Sequence, residues 1–341
     1  MKLIGKVVLV SIFTCVLCAS GQTSGYHIVD KIHLGGDGGW DYLSADPVSG
    51  LLFISRSSHV QVMEMKSGKL RGDILHTNGV HGIAIAHEFG KGYISAGHDD
   101  AVVIFSLKDL SAIRSLKTGG SNPDCIIYDS ASGKIFAFNG HSNSATVIDP
   151  AVDSVVSIIP LSGKPEFAQA DGNGHVFVNL EDKSAVAGID SRTYKQFTEW
   201  STAPGDGPTG LAIDRGHHLL FSVTDNKKMI VSDYTAGKIV AEVPIGQGPD
   251  AAGFDPGTGL IFSSNGKDGT VTIVHEDSPG MFRPVDVVAT AHGAKTMTLD
   301  PVTHTLYLSS AAYERPAGSA DASASKGKII PDSFTVLVVG R

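Results

Sequence analysis

A chain that repeats one pattern seven times, at intervals of 41 to 45 residues, has very few folds open to it. The pattern is clearest from Asn122 to Leu161. Pro123-Asp124 leads into the apolar run Cys125-Ile126-Ile127-Tyr128, and a turn follows from Asp129 to Gly133. Then come Lys134 to Phe138, a loop with Gly140 and Asn143, Ala145 to Ile148, and Ser154 to Leu161. Two-residue alternation of β-branched and aromatic residues, punctuated by Gly, Asn, Asp and Ser, predicts four short strands. With Asp129 as reference, the equivalent positions are Asp46, His87, Asp171, Asp214, Asp255 and Asp300. Six or seven residues beyond them stand Phe53, Tyr93, Phe136, Phe177, Phe221, Phe262 and Tyr307. One such unit cannot bury both faces of its sheet, so the copies must pack on one another. Four strands at this period predict an all-β, seven-bladed β-propeller of four-stranded antiparallel blades around a channel. A TIM barrel would need helical patterns of about 10 to 15 residues between strands, and none is visible.

The two ends of the chain complete each other. The last repeat, from Lys295, supplies three strands and ends with Ser333 to Val339, while the first strand pattern, residues 26–34, has no partners nearby. Residues 26–34 are therefore expected as the outermost strand of blade seven, closing the ring and removing an open sheet edge. Residues 21–341 are then one domain. Blade seven also carries an insertion at 313–332, small, polar and of low complexity, expected as a surface loop or as a lid over one channel mouth.

The first 20 residues stand apart. A basic start at Lys2 and Lys6, an apolar stretch from Val7 to Leu17 and Cys18-Ala19-Ser20 before Gly21 have the layout of a secretory signal, too short to span a bilayer. The mature protein is expected in the periplasm or outside the cell. A lipid anchor at Cys15 or Cys18 is disfavoured by Thr14 and Leu17, which stand where a small residue is wanted. Loss of the signal leaves Cys125 alone, so no internal disulfide can form and packing must hold the ring. The 27 Lys and Arg face 35 Asp and Glu, a net charge of −8 that becomes −10 without Lys2 and Lys6. Such a surface has no overall attraction for phosphate backbones, which disfavours nucleic acid as a partner. No other apolar run approaches the roughly 20 residues of a membrane span. A monomer is expected.

Gly248-Pro249-Asp250 followed by Phe254-Asp255-Pro256-Gly257-Thr258-Gly259 resembles the YVTN-type repeats of the YncE-like propeller family, as do Gly120 to Pro123, Tyr128-Asp129 and Val147 to Pro150. The resemblance covers about residues 26 to 341, including the ending from Ile330 to Arg341. It implies an exported seven-bladed propeller and leaves activity open, because members differ in what they bind. Trp40-Asp41 and Ala294-Lys295 depart from the family's preference for Pro, which makes the loops leading into the blades unequal.

Five residues before each reference position, where the inner strand begins, stand Asp41, Gly82, Asp124, Glu166, Thr209, Asp250 and Lys295, with His81 just before Gly82. A ring brings these together at one channel mouth. Asp41, Asp124, Glu166 and Asp250 could hold a divalent cation, Ca²⁺ through oxygen ligands or Zn²⁺ with His81 among them. An Asp beside Pro at a strand start also caps backbone N–H groups, and that alternative stays open. His98 and His141 occupy equivalent loops of adjacent blades, with Arg56, His59, Asp182, Asn226 and Lys267 on the same set of loops, and imidazoles there suit metal binding or acid-base work. Trp40 and Tyr42 are placed to line the mouth or to pack at its rim. Cys125, beside Asp124, reads as a small buried residue, since a nearby acid disfavours a reactive thiolate.

No nucleophile elbow, zinc-protease helix or phosphate-binding loop is present. The leading expectation is a binding or scaffold protein that recognises a small ligand, metal or protein through the loops of one channel face. The alternative is a lactonase-like or metal-dependent hydrolase using the acidic mouth. Binding of single-stranded DNA, which one branch of the resemblance implies, wants aromatic stacking and a basic groove, against which the acidic mouth argues.

Overall fold

The computed structural model describes residues 24–278, 280–314 and 327–341. The expected signal segment and most of the low-complexity insertion lie outside these. Seven four-stranded antiparallel sheets form a ring, as the repeats predict. The inner strands are Leu43–Asp46, Val80–Ala86, Pro123–Asp129, Pro165–Ala170, Pro208–Asp214, Pro249–Asp255 and Met297–Asp300.

The recurrent Asp explains why the chain turns where it does. Each ends an inner strand and folds its carboxylate back onto the next few N–H groups, which presets the hairpin. Asp129 accepts from the Ala131 and Ser132 N–H groups at 3.3 and 3.0 Å, and Asp255 accepts from Gly257 at 3.0 Å. The aromatic marker sits at the middle of the second strand and faces the neighbouring blade. All seven are 5% exposed or less, among them Phe53 against Phe105 with ring centres 5.6 Å apart. Each buried ring contributes about 1.5–3 kcal/mol, repeated at every seam. Between the inner strands of blades five and six there is no room for a side chain at one position: a Cβ on Gly210 would lie 2.7 Å from the Ala251 Cα.

Closure follows the expected route. In blade seven, Thr335–Gly340 pairs on one side with Thr305–Ser310 and on the other with His27–His33, running from His27 opposite Gly340 to His33 opposite Thr335. The Tyr26 hydroxyl donates to the His304 carbonyl at 2.8 Å, and the Arg341 guanidinium lies 4.9 Å from the Tyr26 ring centre. Past this strand the chain is tied to blade one by Arg56. Its Nη1 donates to the Gly35 carbonyl at 3.0 Å and to Gln61 at 2.6 Å, its Nη2 to the Asp37 carbonyl at 3.2 Å, and the guanidinium stacks 3.8 Å from the Phe334 ring centre.

Deleting residues 26–34 should open blade seven and lower the thermal midpoint sharply, and an unchanged midpoint would refute closure by this strand. Arg56→Met, which strips three acceptors of a buried charged donor, should cost about 2–3 kcal/mol in a urea titration.

Candidate functional site

The residues that begin the inner strands are fixed by buried hydroxyls in the seams between blades. Two positions beyond the aromatic marker, Ser55 accepts the Asp41 N–H at 2.8 Å. Ser95 accepts the Gly82 N–H at 2.8 Å and donates to the Asp124 carbonyl of the next blade at 2.5 Å. The Thr296 hydroxyl donates to the Asp41 carbonyl at 2.6 Å, Thr209 to the Pro249 carbonyl at 3.1 Å, and Ser264 to the Lys295 carbonyl. Backbone held in this way aims the neighbouring side chains at a common mouth without relying on mobile loops.

There Asp41 Oδ2 lies 2.7 Å from His81 Nδ1, which is also 3.7 Å from Asp124 Oδ1. Lys295 Nζ bridges Asp250 Oδ2 at 2.6 Å and Asp41 Oδ1 at 3.4 Å. Lys164 Nζ meets Glu166 at 2.6 Å and also pairs with Glu181. Gly97 leaves the space that His81 fills, since a Cβ there would stand 2.8 Å from His81 Nε2. Beneath these groups Tyr42 of blade one and Phe167 of blade four reach across the axis, ring centres 4.9 Å apart, and floor the mouth.

Among the described residues, none of the Asp41, Asp124, Glu166 and Asp250 carboxylates accepts a backbone N–H, so turn capping is not their work here. The capping is done by the reference acids at the opposite end of the inner strands. Nor do the four form one all-oxygen set. Asp41, His81 and Asp124 present ligand atoms within 4.8 Å of one another, whereas Asp250 is engaged by Lys295 and Glu166 by Lys164. The three could take a cation that accepts one nitrogen and two oxygens.

Burial sets the electrostatics. It drives the Glu166 carboxyl up to about 8, helped by the Asp124 charge and only partly opposed by Lys164. Burial likewise raises Asp124 to about 6, with His81 pulling down and Asp41 and Asp250 pushing up. Asp250 is raised by burial despite Lys295. For His81, burial disfavours the imidazolium, but the Asp41 hydrogen bond and the Asp124 charge outweigh it and its pKa rises. Tyr42 is held well above its usual range, by burial first and then by all four carboxylates, which places its hydroxyl in their common field.

No family model matches the chain, and no curated protein matches it. Solved structures do. Hydrazine synthase of Kuenenia stuttgartiensis aligns at a TM-score of 0.69 and 16% identity over 81% of this chain and 94% of that one. The structure of U3-55K aligns at 0.75 and 10% identity, covering 92% and 99%, and the WD40 repeats of RRP9 at 0.74 and 10%, covering 92% and 97%. At such identities the likeness shows the fold alone. That fold is the seven-bladed β-propeller.

The other sequence candidates disperse. His98 and His141 are exposed on their loops and meet no acid of the mouth. Arg56 is not on an exposed loop but 1% exposed, its Nη1 and Nη2 donating to backbone carbonyls and Gln61, because the segment after the closing strand crosses directly over it. Trp40 packs on Phe334 and Tyr313, with ring centres 5.5 and 6.4 Å away, at the described base of the blade-seven insertion. Cys125 is buried, accepts the Ala168 N–H at 3.3 Å, and has its thiol pKa pushed up by that burial. Sequence reasoning missed Lys164, Glu181 and Phe167; the first two lie outside the aligned column, and Phe167 looks like any core aromatic. Among the described residues no helix is long and apolar enough to cross a membrane.

Because the folded-state values of Glu166 and Asp124 are raised, folding takes up protons at this mouth. Stability from these groups is fully present only below the ordinary carboxylate values of 3.8 and 4.5 and is lost as pH rises from there through about 6 and then about 8; the raised His81 acts with the same sign. The thermal midpoint should fall by a few degrees between pH 5 and pH 8.5, and Glu166→Gln should flatten that slope. A wild-type midpoint that rises over this interval would contradict the assignment.

Proposed function

We propose that the protein is an exported binding propeller of the YncE-like, YVTN-repeat kind whose acidic mouth takes a cationic ligand, in the simplest case one divalent metal ion. The observation that carries the reading is the packing of four carboxylates at one mouth, beside the Tyr42–Phe167 pair, with too few cations to neutralise them. Lys295 serves two acids and Lys164 serves Glu166 together with Glu181, while Asp124 has only His81 at 3.7 Å. A bound cation would relieve the repulsion that drives Glu166 and Asp124 toward neutrality, so uptake should release protons. Export rests on the N-terminal 20 residues, and the YncE-like assignment on the repeat motifs, with the propeller fold as support for both fold and binding role.

Calorimetric titration of chelator-treated protein with Ca²⁺ and with Zn²⁺ tests the binding role. One equivalent should bind, more tightly at pH 8 than at pH 5.5, and Asp124→Asn should weaken it by roughly 100-fold. Absence of either ion's binding at both pH values would sink the metal form of the proposal. The Asp41–His81–Asp124 trio also keeps the hydrolase reading in play, and it is separated by one assay: turnover of a simple lactone by metal-loaded wild type but not by Asp124→Asn would favour the enzyme. Recovery of the full-length protein in the cytoplasm with residues 1–20 still attached would remove export.

A further inference from the structure

The opposite mouth of the channel carries a second constellation, and the internal repeat makes it visible. In four blades the reference Asp uses one oxygen for the turn and receives on the other a hydroxyl from three residues on. Ser49 gives it to Asp46 at 2.5 Å, and Ser132, Thr258 and Thr303 give it to Asp129, Asp255 and Asp300 at 2.7 Å. In blade five that position is His217. Asp214 Oδ1 still accepts the Gly216 and His217 N–H groups at 2.8 and 3.3 Å, but Oδ2 is buried and receives no hydroxyl.

The second departure comes from blade six. The position whose N–H bonds back to the turn between the first and second strands is Met65, Leu107, Ser191 or Tyr234 in other blades, just past the third strand, and in blade six, where that strand runs on to Ser278, it is Glu276, with its N–H donated to the Gly259 carbonyl at 2.9 Å. Its Oε1 is also buried. The two departures meet: His217 Nδ1 is 2.7 Å from Asp214 Oδ2 and 2.9 Å from Glu276 Oε1. Asp214 and Glu276 are 4% and 8% exposed, so neither is a solvated surface acid. One ring nitrogen carries one proton or one lone pair and cannot satisfy both oxygens. The group adjoins a pocket of about 660 Å³ lined by Phe254, Met297 and Leu299, and Arg215 at its edge is turned to the Ala170 carbonyl at 2.8 and 3.0 Å.

We propose that Asp214, His217 and Glu276 form a site for one divalent cation, Zn²⁺ by its ligand set, with the remaining coordination position facing this pocket. Their three ligand atoms lie within 4.8 Å of one another, and a tetrahedral ion at bond lengths of about 2.0–2.2 Å spaces its ligands about 3.3–3.6 Å apart, so the two nitrogen–oxygen distances would each open by roughly half an ångström or somewhat more. One nitrogen and two carboxylate oxygens suit zinc better than calcium, which takes six to eight oxygens. An open position beside an apolar pocket would let a small ligand with an oxygen or nitrogen donor reach the ion.

The test uses full-length protein carrying His81→Asn, so that the acidic mouth does not contribute a nitrogen ligand. Zn²⁺ affinity is measured by competition with a chromophoric chelator at pH 7.5, with and without His217→Ser or Glu276→Leu, each of which installs a residue that other blades use at that place and so should fold. The parent should bind one Zn²⁺ and gain thermal stability from it, and either substitution should weaken binding by roughly 100-fold or more and abolish the gain. Weak or absent Zn²⁺ binding by the parent overturns the proposal, and so does Zn²⁺ binding that both variants retain. Failure here leaves the acidic-mouth reading untouched, since that mouth is altered in every protein compared.

Discussion

Each blade of this ring has two apolar faces and no way to bury either by itself. The rings of Phe53, Tyr93, Phe136 and their equivalents are covered only by the next sheet, so the first and last blades must meet, and the pairing of His27–His33 with Thr335–Gly340 is what makes them meet. Hydrophobic burial summed over seven seams is the main favourable term, and no disulfide supplements it, since Cys125 is a free, buried thiol among the described residues. Arg56 and Tyr26 sit at the two ends of the closing strand, where fraying would begin, and each spends polar groups on backbone carbonyls there.

Once the ring is closed, its axis becomes the place where residues far apart in sequence meet. Lys295 and Asp41 are 254 positions apart and pair at 3.4 Å. The seam hydroxyls of Ser55, Ser95, Ser264 and Thr296 make this meeting rigid, because they tie the start of one inner strand to the second strand of its own blade or to the neighbouring blade. The consequence is a mouth that holds more negative charge than folding alone would favour. Carboxyls with values raised by burial and by one another are destabilising when ionised, and such clusters are where function is commonly found.

The Tyr42 and Phe167 rings meet 4.9 Å apart between the two mouths of the channel. One is ringed by the residues that begin the inner strands and the other by the turns that end them. On the second face Asp129, Asp171 and Asp300 are used by their own turns, while Asp46 and Asp255 each also meet one histidine of another blade, His87 at 2.8 Å and His304 at 2.7 Å. The cluster at Asp214 differs because His217 replaces a hydroxyl donor and Glu276 replaces an apolar or small side chain, and the two changes belong to different blades.

The amino-acid sequence by itself determined the number of blades, the strand pattern within each, the turn acids, the buried aromatic of each second strand and the strand that closes the ring, because all of these are local or periodic and recur seven times. It also placed Asp41, His81, Asp124, Glu166, Asp250 and Lys295 on one mouth, since a fixed offset in a repeat becomes a fixed height along the axis. Only the tertiary structure decided which of them touch. The lysine pairings, the His81 position between two acids and the burial of Arg56 depend on rotamers and on packing between blades, which periodicity does not encode. The meeting of His217 with Glu276 is of the same kind: each lies in its own repeat, and their contact exists only because neighbouring blades pack face to face.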